Sequence, residues 1–274
     1  MVTPTTAGDV SWYEMARDRP ALAGFCVDRW LGPWRRLTEL PHGYAETVLD
    51  LNQVAFHALA PARYAASGKV GLRYTAGGFG TPFFGPDRQV RLEGTELVIQ
   101  ARTGARAESL TTLRKAAEFL GVEYRVEWGP TWHDPPAPID PDRPLQVTAG
   151  AVAAIADVVG FAFSILEQIR TEAKTDEAAS RVQLWPEHFD VAVEIGQEEG
   201  GRRAAFGVSP GYAAHPEPFV YVSPWAKDRL TDPYWNADFF GGSIMVFTDL
   251  LSAADQRGAA LGFLRAGLDL LRDK

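Results

Sequence analysis

RVQLWPEHFDVAVEI, residues 181–195, decides the fold class of this chain. Phe189, Val191, Val193 and Ile195 alternate with His188, Asp190, Ala192 and Glu194. That is the two-residue period of a strand with one buried face. Residues 181–184 read as a partner strand. Downstream, residues 197–201 turn the chain toward further strands at 204–208 and 219–222.

Working outward, residues 149–166 are apolar almost throughout but include Asp157 and Gly160 and run into Glu167, Gln168 and Arg170. Val152, Ile155, Val159, Phe163, Leu166 and Ile169 recur at three- and four-residue spacing, which predicts a long buried helix and not a membrane span. Residues 252–271 carry Leu261, Leu264, Leu268 and Leu271 on one stripe, the pattern of a closing amphipathic helix. N-terminal to all this, residues 129–144 hold Pro130, Pro135, Pro136, Pro138, Pro141 and Pro144. Such a run cannot be helical and is too proline-dense for a sheet interior, so residues 129–147 are expected to connect two halves in a fixed relation.

The first half, 41–128, repeats the order. A helix is predicted over 44–59, stopped by Pro61. Val70, Leu72 and Tyr74 have strand periodicity, and GGFGTPFFG (77–85) reads as a loop. Residues 90–99 form a hairpin around Gly94 and Thr95, residues 110–120 a helix closed by Gly121, and residues 123–128 a strand. Before it, residues 11–40 read as short helices carrying Trp12, Trp30 and Trp34, an N-terminal extension over 1–40. The expectation is an α+β fold, with mainly antiparallel sheets covered by helices and a helix–sheet–helix order that suggests pseudo-duplicated halves. The halves share no sequence identity strong enough to establish duplication.

Composition narrows the function. The 274 residues are 46% apolar and 23% charged, an ordinary globular composition. Acidic residues outnumber basic ones by 35 to 27, a net charge of −8, which disfavours nucleic acid and anionic membranes as partners. Cys26 is the single cysteine, so an intrachain disulfide and a cysteine-based zinc cluster are both excluded. Its apolar neighbours favour a buried small hydrophobe over a nucleophile. MVTPTTAGDVSW has neither a basic nor an apolar leader region, so a cytoplasmic location is expected.

Two motif candidates carry chemistry. The glycine loop lacks a Gly-Lys-Ser/Thr, does not match G-x-G-x-x-G and leads into a strand, so no nucleotide cofactor is expected. The stronger candidate is a pair of His-x-acid motifs, His188 with Asp190 and His215 with Glu217. In an extended chain each pair presents imidazole and carboxylate together. Brought side by side, the four residues would offer a divalent transition-metal site or an acid/base set. The alternative is structural, with each histidine satisfying a strand start or a proline-bounded turn. Trp185, Tyr221, Trp225 and Trp132 are the aromatics placed to wall a small-molecule pocket beside them. His57, His133 and His42 are weaker candidates; His133-Asp134 would line a cleft between the halves.

The motifs GGFGTPFFGPDRQVR, SRVQLWPEHFD, AHPEPFVYVSPW and DPYWNADFFGG resemble an uncharacterised conserved family of high-GC bacteria, over residues 44–271. A broader bacterial domain-of-unknown-function family is similar in its order of a GK-x-x-L strand, a DP-x-P linker and a PEP-x-x-Y strand. The resemblance implies one integrated fold and carries no activity, cofactor or catalytic residue. Similar sequences place Asp where Tyr212 stands, which weakens an acidic site there. The resulting expectation is a small molecule bound or transformed in an aromatic, histidine and acid-lined pocket of the second half. The competing one is a non-catalytic interaction or self-association module of undefined oligomeric state.

Overall fold

Val90 faces Ile99 and Leu92 faces Leu97 across a two-residue turn at Gly94 and Thr95, the hairpin expected from the alternation. It lies within a chain described over residues 35–75, 77–85, 88–101, 104–227, 230–237 and 240–272 by a computed structural model. Cys26, Trp12, Trp30 and Trp34, and with them most of the expected N-terminal helices, lie outside the described residues. Residues 35–40, which are described, are not helical.

The fold is α+β. Helix α1 (Tyr44–Val54) passes through a π-helical turn (Ala55–Leu59) into α2 (Ala60–Ser67). Strands β1 (Arg73–Thr75), β2 (Gly78–Gly80), β3 (Gln89–Glu93), β4 (Glu96–Ala101) and β5 (Gly104–Ser109) form an antiparallel meander, followed by α3 (Leu113–Leu120). The irregular connector then leads to α4 (Ala149–Glu172). Strands β6 (Gln183–Trp185), β7 (Asp190–Ile195), β8 (Ala204–Ser209), β9 (Phe219–Pro224) and β10 (Ser243–Val246) make a second antiparallel meander. Helices α5 (Phe247–Ser252) and α6 (Gln256–Arg272) close the described chain.

A helical segment, five strands and a helical segment thus occur twice, as the sequence suggested. The two sheets meet edge to edge through their first strands: Leu72 and Leu184 exchange backbone hydrogen bonds of 2.7 and 2.9 Å. Helix α4 packs across this junction onto β1 and β2 of one sheet and β7 and β8 of the other. Its most apolar window has a mean hydropathy of 2.0 and is 67% buried, which makes it the spine of the core. Leu51, Leu92, Leu113, Ile155, Phe161, Leu184, Phe206 and Leu264 belong to one continuous apolar cluster spanning both halves.

Three local expectations are corrected. Pro61 does not end the first helix. In the π turn the Ala60 N–H reaches back five residues to the Ala55 carbonyl, and Pro61 falls in the first turn of α2, where a missing N–H costs nothing. Residues 123–128 are irregular instead of a strand; the Arg125 carbonyl bonds the His57 ring, and Glu123 pairs with Arg125. The glycine-rich segment is part strand, since Gly78–Gly80 is β2. A side chain at Gly80 would collide with the backbone and Cβ of Arg91 on β3, so the residue type sets how closely these strands approach. Strands β5 and β10 were not anticipated; β5 is exposed throughout, and β10 is four residues long and shows little alternation.

The connector is fastened to the first half. Arg143 pairs with buried Asp50 on α1, whose Oδ2 also accepts from the Gln146 N–H at 2.5 Å. Asp142 binds Arg114 of α3 through two bonds of 2.7 and 2.8 Å, and Gln53 donates to the Ala137 carbonyl at 2.8 Å.

Candidate functional site

The hairpin loop between β6 and β7, residues 186–189, carries the first of the two His-x-acid motifs. The Phe189 N–H closes it onto the Trp185 carbonyl at 2.8 Å, and Phe189 adopts φ 54°, a left-handed conformation that a bulky residue rarely takes. What holds it there is packing: the Phe189 ring is buried and meets Phe79 of β2 edge-on, with centroids 5.0 Å apart. The loop is also held by Asn52 of α1, which donates to the Pro186 carbonyl at 2.7 Å. On its outer side His188 Nε2 donates to the His133 carbonyl of the connector at 3.0 Å, and the two imidazoles lie 6.2 Å apart. Asp134, next to His133, is also left-handed at φ 57°. Two strained residues therefore flank the one contact between loop and connector histidines, and strain of this kind is stored where the surrounding structure over-determines it.

The turn at Phe189 changes the expected geometry of the first His-x-acid pair. His188 lies in the loop and is exposed, while Asp190 starts β7 and is buried, so they do not share a strand face. Asp190 instead accepts a hydrogen bond at Oδ2 from the Tyr221 hydroxyl of β9. Strand β8 lies between them, and Tyr221 crosses it over Gly207, where any Cβ would overlap the phenol ring. Burial raises the Asp190 carboxyl above the ordinary carboxylate range, against the Tyr221 hydrogen bond and the nearby His188, which lower it. Burial likewise pushes the Tyr221 hydroxyl well up, so it stays a neutral donor.

Glu187 completes the cluster. Its carboxyl is raised mainly by burial; His188 and His133 pull it down, and the Asp190 charge pushes it up. Glu187 Oε2 and Asp190 Oδ1 are both buried with no hydrogen-bond partner. Two carboxyl groups with raised affinity for protons, each keeping one buried acceptor oxygen open near His188, can each retain a proton or accept hydrogen bonds from a guest. Sequence reasoning missed Glu187. The signal was present, since WPEHFD places a second acid three residues before Asp190, and both carboxyls lie near His188.

The other motif residues are placed apart. His215 and Glu217 lie in the β8–β9 connection: Tyr212 and His215 exchange backbone bonds of 2.7 and 2.9 Å, the His215 ring packs 5.8 Å from Phe219, and Glu217 is exposed. The expected four-residue metal set is not assembled; among the described residues no group of three or more His, Cys, Asp or Glu is placed to hold an ion. Trp225 follows β9 at the Arg203 end of β8, under the Arg203 guanidinium at 5.0 Å. Asp190 lies beyond Val208 at the other end, so the length of β8, about 20 Å at ~3.3 Å per residue, separates the two. Trp132 packs on Phe56 and Trp128, each 5.0 Å away, and donates to the Trp128 carbonyl at 2.7 Å. Of the four expected wall aromatics, Trp185 and Tyr221 adjoin Asp190, one by strand register and one by hydrogen bond. His57 is buried in the π turn, its Nδ1 donating to the Arg125 carbonyl at 3.0 Å, and burial lowers its pKa.

Comparison of the chain with protein-family models, curated proteins and solved structures returns no match.

Proposed function

We propose that the β6–β7 loop, with Glu187, His188, Asp190 and Tyr221, binds a small polar molecule that brings hydrogen-bond donors, such as an amine or a polyol. The observation that carries this reading is the pair of buried, unpartnered oxygens, Glu187 Oε2 and Asp190 Oδ1. An unsatisfied buried acceptor costs about 1–3 kcal/mol, and a donor-bearing guest recovers that cost. Trp185 and the His133 and His188 rings supply the adjoining surface. Any chemistry at the site would use the proton that the raised carboxyls retain, with Tyr221 fixing the Asp190 oxygen that does not meet the guest.

Thermal unfolding of the full chain against a panel of small amines and polyols tests this. At least one compound is expected to raise the midpoint of the wild type and leave the Glu187→Gln, Asp190→Asn double variant unmoved. Equal shifts in both proteins would remove the site.

A second reading, an interaction or self-association module, is favoured by a different observation. Tyr212 and Val246 are 37% and 39% exposed beside Phe219, with Val246 opposite Phe219 in the β9–β10 register and Tyr212 packing 6.2 Å from its ring. It predicts a concentration-dependent complex in sedimentation that Val246→Asp abolishes and the carboxyl double variant leaves intact.

A further inference from the structure

Strand β5 ends the first sheet, pairs with β4 alone, and has all six of its residues exposed. Its backbone orientation follows from one contact. The Leu110 N–H donates to the Thr95 carbonyl at 2.9 Å, so in the β4–β5 register Leu110, Glu108 and Arg106 turn their backbone groups toward β4. Ala105, Ala107 and Ser109 therefore turn theirs outward, where the described residues make no hydrogen bond to them. The edge of the second sheet is built differently. There the Asn236 side chain donates to the Ile244 carbonyl at 3.0 Å and accepts from the Ile244 N–H at 2.8 Å, which closes the outer side of β10. One edge is capped by the chain itself, and the other is left as a template for a further strand.

The sequence of β5, GARAES, decides which strand fits. Set antiparallel to a copy of itself about Ala107, it pairs Ala107 with Ala107 and Ala105 with Ser109. These are the outward-facing residues, so each such pair exchanges two N–H···O bonds. In the same register Arg106 of each copy stands opposite Glu108 of the other, in the closer, non-hydrogen-bonded positions where opposite charges attract. Moving the axis by one residue, onto Arg106 or Glu108, sets like charges against each other. Arg106 is steadied for this role by the Phe119 ring of α3, whose centroid lies 5.3 Å from the guanidinium carbon. We infer that β5 pairs with β5 of a second copy of this chain, joining two five-stranded sheets into one across a two-fold axis. The contact is independent of the Phe219 patch, which lies on β9 and β10 of the other sheet.

Sedimentation of the full chain from micromolar to near-millimolar concentration tests the pairing. A monomer–dimer equilibrium is expected. Arg106→Glu and Glu108→Arg are each expected to weaken it by roughly tenfold or more, since each turns two opposite-charge pairs into two like-charge ones. Mixed in equal amounts, the two variants are expected to form a heterodimer about as tight as the wild-type dimer, because every facing pair is again of opposite charge. Only folded chains can re-form it, which separates lost pairing from lost folding. Ala107→Pro removes an outward N–H and no bond to β4, and is expected to abolish the dimer. Val246→Asp, on the edge of the other sheet, is expected to leave it intact. Monomers at every concentration would overturn the inference and leave the edge to a partner of another kind. It is also overturned by a dimer indifferent to both charge reversals, by a mixture that stays monomeric, or by a dimer that only Val246→Asp disrupts.

Discussion

The Tyr221 hydroxyl donates to the Asp190 carboxyl across a strand to which neither residue belongs. The crossing exists because position 207, on the strand between, carries no side chain. Gly207→Ala is therefore expected to destabilise the fold by about 1–3 kcal/mol, the range for overpacking a filled site, as the new methyl displaces the phenol. Urea unfolding measures the loss, and a Gly207→Ala, Tyr221→Ala double variant is expected to show much less than the sum of the two single losses.

Tyr221→Phe keeps the ring and removes only the donor. It leaves Asp190 buried with neither oxygen paired to a side chain, and the expected cost is about 1–3 kcal/mol. A change smaller than a few tenths of a kcal/mol would mean that Asp190 finds water in place of Tyr221.

The pH dependence at Asp190 has a definite sign. Its folded pKa is raised, so between the ordinary Asp value and the raised value the folded protein binds more protons than the unfolded chain. Stability from this residue is thus greatest below the unfolded pKa and falls as pH rises through the folded one. Asp190→Asn, which carries no titrating proton, is expected to flatten that part of the stability–pH curve. An unchanged curve would place the proton elsewhere.

Much of the architecture was legible in the sequence. The alternation at 189–195 and 90–99, the i, i+3, i+4 stripe of α4 and the proline run at 129–144 each report a local preference that tertiary packing did not override. What escaped was non-local. The fate of residues 123–128 depended on His57, 68 residues away along the chain, taking the Arg125 carbonyl. The site was half legible for the same reason. WPEHFD was recognisable as a cluster, but pairing His188 with Asp190 assumed an extended chain, and Phe79 from the other sheet bends it at Phe189. The two His-x-acid motifs also looked equivalent, although one is folded into the junction of three elements and the other lies in a proline-bounded surface turn.

Phe79→Ala tests that support. Removing a fully buried ring costs about 3–5 kcal/mol, and the loop should lose order before the sheet unfolds. Hydrogen exchange at the Phe189 amide is expected to speed up more than exchange at Val193. Uniform acceleration across β7 would mean that Phe79 supports the sheet and not the loop in particular.

Arg143→Gln probes the attachment of the connector. Asp50 keeps the Gln146 N–H but loses its cation, and with Arg143 a third exposed the expected cost is about 2 kcal/mol. Protease sensitivity should rise within residues 129–147 while the sheets stay protected.

Native mass spectrometry of the full chain, with the amine and polyol panel added at millimolar concentration, bears most directly on the proposed site. A non-covalent adduct is expected on the wild-type subunit, lost on denaturation and absent from the Glu187→Gln, Asp190→Asn variant. Bare subunits throughout, or the same adduct on both proteins, would contradict it.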